Sequence, residues 1–354
     1  MASRVVGLDI GTTGVRAAEL SVSKAGAVLE RFGQVALPTG AVKDGEVLDV
    51  AAVASALKQL WAQAKFSTKK VVAGVANQKV VVRQVDVPWM PESELRSSLA
   101  FQVQDYIPMP VEEAILDFHP IEEFTGESGA RMLRVLLVAA ARDMVSSSVA
   151  ALHEAGLQPQ RLDLSSFAVL RSVAGMDASP ASFSGAEALV DIGAHVTNIV
   201  IHENGAPRFV RILLMGGGDI TDAVAERLGV PHEQAEAIKQ ESGLTTGHDA
   251  AAPSPAGRAI ESAAGALVEE IRGSLDYYLA QSGAARIARV VVSGGGSRLT
   301  GLVDRMGTVT RLPVSAARPL ASLKVGNTGL TEEQLTYIEP LVTVPVGLAM
   351  GVSA

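Results

Sequence analysis

Apolar residues in this chain come in short blocks, closed by glycine, proline or acidic turns, and these blocks alternate with stretches of helical period. Residues 4–10 and 15–21 read as a β-hairpin, and residues 28–37 as a third strand. Over 49–65 the apolar positions Val53, Leu57, Leu60 and Trp61 recur at helical spacing. Residues 71–76 are a continuous apolar run of the kind a buried strand shows.

From residue 79 the texture changes. Val80 to Val87 alternates imperfectly and stops at Pro88. Pro91 opens a helix expected to run to Tyr106, where Pro108 and Pro110 end it. Its spacing puts Leu95, Leu99 and Phe101 in a core. Two strands, 115–121 and 132–141, flank a polar turn at 125–130, and a helix over 143–154 closes at Gly156. This β-α-β-β-α stretch, residues 79–156, reads as a unit inserted into a first half that comprises 1–78 and 157–180, with 340–354 returning to it.

Residues 178–185 form a small-residue linker, and the second half, 187–339, begins at Glu187. Residues 243–257 read as a low-complexity surface loop. A long helix is expected over 258–281, with Ile260, Ala264, Leu267, Ile271, Leu275 and Tyr278 on one stripe. The strand Val290-Val291-Val292 runs into Ser293-Gly294-Gly295-Gly296-Ser297, with a helix expected to start near Leu299. Met215-Gly216-Gly217-Gly218 precedes a helix over 220–228, with Asp219 an N-cap by residue type. A short helix over 345–350 ends the pattern.

Within this pattern one phrase occurs twice. Val6-Gly7-Leu8-Asp9-Ile10-Gly11-Thr12-Thr13-Gly14 and Leu189-Val190-Asp191-Ile192-Gly193-Ala194-His195-Val196-Thr197 are each an apolar strand, an Asp-Ile-Gly, a small-residue turn and a second strand. One copy is an ordinary hairpin turn. Two copies suggest related halves facing one another, each offering a carboxylate and backbone amides to a ligand between them. Paired carboxylates suit a hydrated Mg²⁺ that bridges phosphate oxygens. This is not a lysine-bearing P-loop, because no Gly-Lys-Ser/Thr follows and the next element is a strand. The glycine run at 294–296 would let a flat base approach the backbone. Glu236 and Lys239, three apart on a helix, share a face; alone they are an ordinary ion pair.

Composition narrows the options. The 354 residues carry a net charge of −8, which argues against a general nucleic-acid surface. Hydrophobic residues make up 48% of the chain, yet no apolar run is long enough to span a bilayer, so no membrane insertion is expected. The N-terminus enters a strand at once and lacks a signal pattern. There is no cysteine, and no pair among the six histidines has ligand spacing on a helix face, so a zinc site is not expected.

Taken in order, these motifs resemble the actin-like ATPase superfamily, which includes actin, the heat-shock chaperone ATPases, sugar kinases and the cell-division protein FtsA. The resemblance implies a two-lobed α/β fold of duplicated ribonuclease-H-like halves that binds ATP and Mg²⁺. Asp9 and Asp191 would organise the metal through its water shell and are the candidates for a catalytic role. Gly11, Thr12, Thr13, Gly193 and Thr197 would hold phosphates, and Gly217, Glu236, Lys239, Gly294 and Gly295 the nucleoside. Within the superfamily, Gln104 to Ala114 and Ile271 to Tyr278 are similar to segments of the type IV pilus assembly PilM family. That likeness implies a cytoplasmic adaptor, held at the inner face of the membrane by its partners. It would bind the N-terminal cytoplasmic peptide of PilN and link the inner-membrane complex to other pilus motor components. The edge strand 80–87 or the helix 92–106 would line the peptide's groove. An FtsA-like self-associating filament and a small-molecule kinase are the alternatives on the same fold. His195 stands where many relatives have a smaller residue, and an imidazole beside the terminal phosphate would slow hydrolysis. The sequence also stops soon after Met350, where FtsA carries a membrane-binding tail, so no such tail is expected.

Overall fold

The computed structural model describes residues 3–23, 26–174, 185–244 and 254–351. All of the expected linker except Gly185 lies outside them, as do residues 245–253 of the expected loop.

Ser3–Ile10 and Gly14–Ser23 form the expected hairpin, and Gly26–Ala36 continues it antiparallel. On the other side Ser3–Ile10 pairs in parallel with Lys70–Val75, and that strand with Gln158–Leu164. The second half repeats this order. Ala186–Ile192 and Thr197–Glu203 make the hairpin, Ala206–Leu213 continues it, and Ile287–Ser293 and Val314–Ala316 add in parallel. Every residue of Ala186–Ile192 is buried, because both sheet faces are covered, and this is why the strand reads as an unbroken apolar run. The first sheet gains a sixth strand, Lys324–Val325, beside Gly26–Ala36. Two residues carry no period, so the sequence pattern did not mark it.

Helices Ser165–Val173 and Thr343–Met350 join the halves. Ala168, Val169, Val346 and Leu348 share one core with Leu20 and Val72 of the first sheet and with Leu189, Val200 and Val291 of the second. The C-terminal helix docks backbone to backbone. A Cβ on Gly347 would strike the Ala168 carbonyl and lie 2.9 Å from Ala168 Cα, and one on Gly7 would lie 2.6 Å from Ala349 N. Arg171 Nε donates to Gly347 O at 2.9 Å and Arg161 to Gly351 O at 2.7 Å, satisfying carbonyls at the helix end.

The inserted stretch is a three-stranded antiparallel sheet of Val80–Pro88, Arg131–Ala141 and Ala114–Thr125. Helix Glu92–Val103 covers one face, with Leu95, Leu99 and Val103 packed on Phe118, Val135 and Leu137. The helix stops at Val103 and tightens into a 3₁₀ turn, Gln104–Tyr106, rather than continuing to Tyr106. Phe101, expected in the core, is 77% exposed, since it lies off the Leu95–Leu99 stripe. The other face of the sheet brings Val82 and Val138 against Phe167 and against Ile212 of the second half. Gln84 Nε2 also donates across to Arg208 O at 2.7 Å. The insertion therefore touches both lobes.

The long helix, Pro255–Leu279, buries the expected stripe, beginning three residues earlier with Pro255 in its first turn. Gly347→Ala should overpack the joint between the lobes and cost about 1–3 kcal/mol, read as a lowered thermal midpoint. Gly273→Ala, on the long helix with no atom within 4 Å of its new Cβ, should be neutral or stabilising by up to ~1 kcal/mol. Equal midpoints for the two variants would contradict the backbone docking.

Candidate functional site

The two central strands end at a common cavity of about 390 Å³. Asp9 and Asp191, each one residue before its strand's end, both line it, one from each lobe. So do Gly11, Thr12, Thr13, Gly193, Gly217, Glu236, Lys239, Gly294 and Gly295. The two turns close with the same bond: Gly11 N donates to Gly14 O at 3.0 Å, and Gly193 N to Val196 O at 2.9 Å. Thr197 is a correction. It is fully buried, and its hydroxyl donates to Met215 O at 2.7 Å, so it does not line the cavity. The strand begins at Thr197 and turns that side chain into the lobe.

Hairpin register selects the groups that face the carboxylates. Arg16 stands opposite Asp9, with Nη1 3.7 Å from Asp9 Oδ2, and it lines the cavity. Its Nε is buried without a hydrogen-bond partner. Asn198 stands opposite Asp191, and Ser293 beside it on the parallel strand donates to Asp191 Oδ1 at 2.7 Å. Ser166, on the joining helix, donates to Asn198 Oδ1 at 3.1 Å, which leaves the amide nitrogen to serve Asp191. The sequence motifs gave Arg16, Asn198 and Ser293 no role. Counting across the predicted hairpins would have found the first two.

Burial dominates the electrostatics. The Asp191 carboxyl is pushed up to about 6, first by desolvation and then by the negative charge of Asp9, against the pull of Ser293 and Arg16. Burial also raises Asp9, although Arg16 offsets part of this.

Glycines let three turns approach. Gly217 N donates to Gly193 O at 2.9 Å, and a Cβ on Gly217 would lie 3.0 Å from Gly296 Cα. Gly294 has φ +83°, where a Cβ would strike Ile192 O. The helix after Gly216 begins at Gly217, three residues earlier than residue type suggested. Asp219 is therefore not its N-cap but sits at N3, accepting from Gly216 N at 2.6 Å. Beyond Gly294 comes a 3₁₀ turn, Gly295–Arg298, and the α-helix starts at Leu302 rather than near Leu299.

Glu236 and Lys239 pair at 2.6 Å. The Lys239 ammonium also donates to Gly217 O and Thr221 Oγ1, both at 2.8 Å, so it props the glycine turn with all three of its protons engaged. Glu236 accepts from Thr221 and from Gln240 as well. His195 does not line the cavity; its Nδ1 lies 3.1 Å from Asp219 Oδ1, which holds the imidazole pKa above its usual range. At the far end Arg298 lies 4.0 Å over the Tyr337 ring, and both line the cavity. Tyr337 belongs to Glu332–Ile338, a segment that no motif marked. Hard carboxylate oxygens, threonine hydroxyls, glycine amides and an unsatisfied guanidinium nitrogen form a donor set that fits a polyphosphate with a hard divalent cation.

The sequence pattern described as "Type IV pilus assembly protein PilM" matches residues 7–352. The chain belongs to the PilM family. It is also similar to the cell division protein FtsA of Escherichia coli (strain K12), 26% identical over 386 aligned residues that span 97% of this chain and 89% of that protein. Among solved structures it resembles a chain of the PilM–PilN type IV pilus biogenesis complex, with a TM-score of 0.86, 28% identity and 98% of both chains covered. The MreB 5 protein of Spiroplasma citri bound to AMPPNP shares the fold, with a TM-score of 0.54, 13% identity and coverage of 98% of this chain and 95% of that one. The two-lobed actin-like architecture expected from the duplicated motif is therefore present in this PilM-family member. Among the described residues, no helix is long and apolar enough to cross a membrane.

The raised carboxyl sets a pH dependence. Asp191 titrates near 6 in the folded chain and near 3.8 when unfolded. Between those values the folded state holds the extra proton, so the ligand-free protein gains stability as pH falls and loses it as pH rises through about 6. Asp191→Asn should flatten this difference in thermal midpoint between pH 7 and pH 5. An unchanged pH profile would show that Asp191 is not raised by burial.

Proposed function

We propose that this chain is a nucleotide-dependent adaptor that holds Mg²⁺ and ATP between its lobes and binds the N-terminal cytoplasmic peptide of PilN. The observation that carries this reading is the meeting of the two acidic turns, Asp9 and Asp191, in one cavity. Bound Mg²⁺ would supply the positive charge that two buried carboxylates and the phosphate oxygens need. Asp9 and Asp191 would orient its water shell, while Gly11, Thr12, Thr13 and Gly193 would donate to phosphate oxygens. Arg16 would turn its free Nε toward the same oxygens. Gly217, Gly294 and Gly295 would receive the nucleoside, with Glu236 bounding its sugar and Lys239 supporting the turn from behind.

The lining carboxylates are all engaged: Asp9 with Arg16, Asp191 with Ser293, Glu236 with Lys239. Asp9 and Asp191 are given to the cation and Glu236 to a lysine, which supports holding ATP, or turning it over slowly, over a kinase reaction. The working domain frame is a first lobe of 1–78, 157–180 and 340–354, an inserted subdomain of 79–156 and a second lobe of 187–339. Residues 1–2, 24–25, 175–180, 245–253 and 352–354 of it lie outside the described residues.

The peptide reading rests on the likeness to the chain of the PilM–PilN complex. Of the two surfaces expected to line the groove, the strand Val80–Pro88 lies against the second lobe through Gln84 and Arg208. The helix Glu92–Val103 and its 3₁₀ extension instead expose Phe101 and Tyr106. They offer an apolar face to an extended peptide. The adaptor would work in the cytoplasm, held at the inner membrane face through PilN.

Calorimetric titration of Mg-ATP should show binding to the wild type and its loss in the Asp9→Ala/Asp191→Ala double variant; equal affinities would remove the site. Phe101→Ala should weaken a PilN N-terminal peptide roughly tenfold while leaving Mg-ATP binding intact. Undiminished peptide binding would move the groove elsewhere.

A further inference from the structure

A second group of metal-ligating side chains stands outside the set assigned to Mg²⁺ and nucleotide. His195 lies in the second acidic turn, Asp219 and Asp222 lie three apart near the start of the helix Gly217–Leu228, and His232 opens the helix His232–Ser242. Ligand atoms of His195, Asp219 and Asp222 all lie within 4.8 Å of one another. His195 Nδ1 is 3.1 Å from Asp219 Oδ1, His195 Nε2 is 4.0 Å from Asp222 Oδ2, and His232 Nε2 is 3.4 Å from Asp222 Oδ1. A tetrahedral ion with bonds near 2.0–2.1 Å sets its ligand atoms about 3.3 Å apart, so one nitrogen of His195 and one oxygen of each aspartate, all within 4.8 Å, can close on an ion by side-chain rotation, with His232 beside Asp222 but outside that group.

The group is also held in place. Gly216 N donates to the second Asp219 oxygen at 2.6 Å, fixing that carboxylate. Gly218 has no side chain where a Cβ would lie 2.7 Å from His195 Nε2, so the imidazole rests directly on the first turn of the helix. Gly218 N in turn donates to Ala194 O at 2.6 Å, locking the loop that carries the histidine. His232 lines the central cavity, which puts the group at its rim.

We propose that His195, Asp219 and Asp222 form a binding site for a zinc-class divalent ion at the rim of the cavity, separate from the Asp9–Asp191 pair. An imidazole beside two carboxylates, with water in the fourth position, favours a borderline ion over magnesium, which takes oxygen ligands. Such an ion would tie the second acidic turn to the N-terminal end of the helix Gly217–Leu228. Sequence spacing could not show this, because His195 and the two aspartates lie in different elements.

The test uses the full chain freed of metal by chelation. Zinc titrated by calorimetry should bind at one equivalent in the presence of excess Mg²⁺. Asp222→Asn and His195→Gln should each weaken it at least ~10-fold, as befits loss of a ligand, with thermal unfolding confirming that the variants fold. Mg-ATP affinity of Asp222→Asn should stay within about twofold of wild type, because Asp222 does not line the cavity. Cobalt(II) added to the wild-type chain provides a readout that needs no variant, and it should give the intense visible absorption of a tetrahedral site. Absence of zinc binding would reduce the cluster to a hydrogen-bonded helix cap. Wild-type zinc affinity in both variants would place the ion on other surface histidines, and an octahedral cobalt spectrum would exclude the tetrahedral arrangement. Each of these three results overturns the proposal.

Discussion

Two carboxylates from opposite lobes share one poorly solvated cavity, and most of the site can be understood as the management of their charge. Asp9 has a guanidinium across its hairpin; Asp191 has only neutral donors, Ser293 and Asn198. Burial therefore lifts both acids, Asp191 to about 6. Unfolded, they would be solvated and ordinary. Folded and empty, they repel one another, a standing cost that a bound cation would relieve.

The same constraint explains why glycine is concentrated around the cavity. Carboxylates can face each other across a narrow space only if the turns behind them pack closely. Gly193, Gly217 and Gly296 pack backbone against backbone, with Lys239 bracing Gly217 from below. A similar economy of side chains operates at the joint between the lobes, where Gly7 and Gly347 admit the C-terminal helix. The inserted sheet then rests on both lobes at once, through Phe167 on one side and Ile212 and Arg208 on the other. A change in the angle between the lobes would be felt there, on the subdomain proposed to receive the PilN peptide.

Much of the fold was legible in the chain. The duplicated Asp-Ile-Gly hairpins, the β-α-β-β-α insertion and the long helix with its Ile260-to-Tyr278 stripe follow from period and punctuation, because each is long enough to show a pattern. Of the site, Asp9, Asp191 and the glycine turns could be named because strand ends and glycine runs are local features. Thr197 failed because the same strand-start position can point into the cavity or into the lobe, and only packing settles which. Phe101 failed for a related reason, since a helix of mixed polarity leaves the width of its buried stripe open.

What the sequence by itself determined was the pair of repeated acidic turns and hence two matching sheets, since hydrophobic period and turn chemistry act over a few residues. Tertiary structure alone decided which partners each charge would meet: Arg16 with its Nε left free, Lys239 spent on protein acceptors, and His195 drawn to Asp219 instead of the cavity. Those outcomes depend on desolvation and on distances between elements far apart in the chain, and neither quantity exists until the lobes have packed.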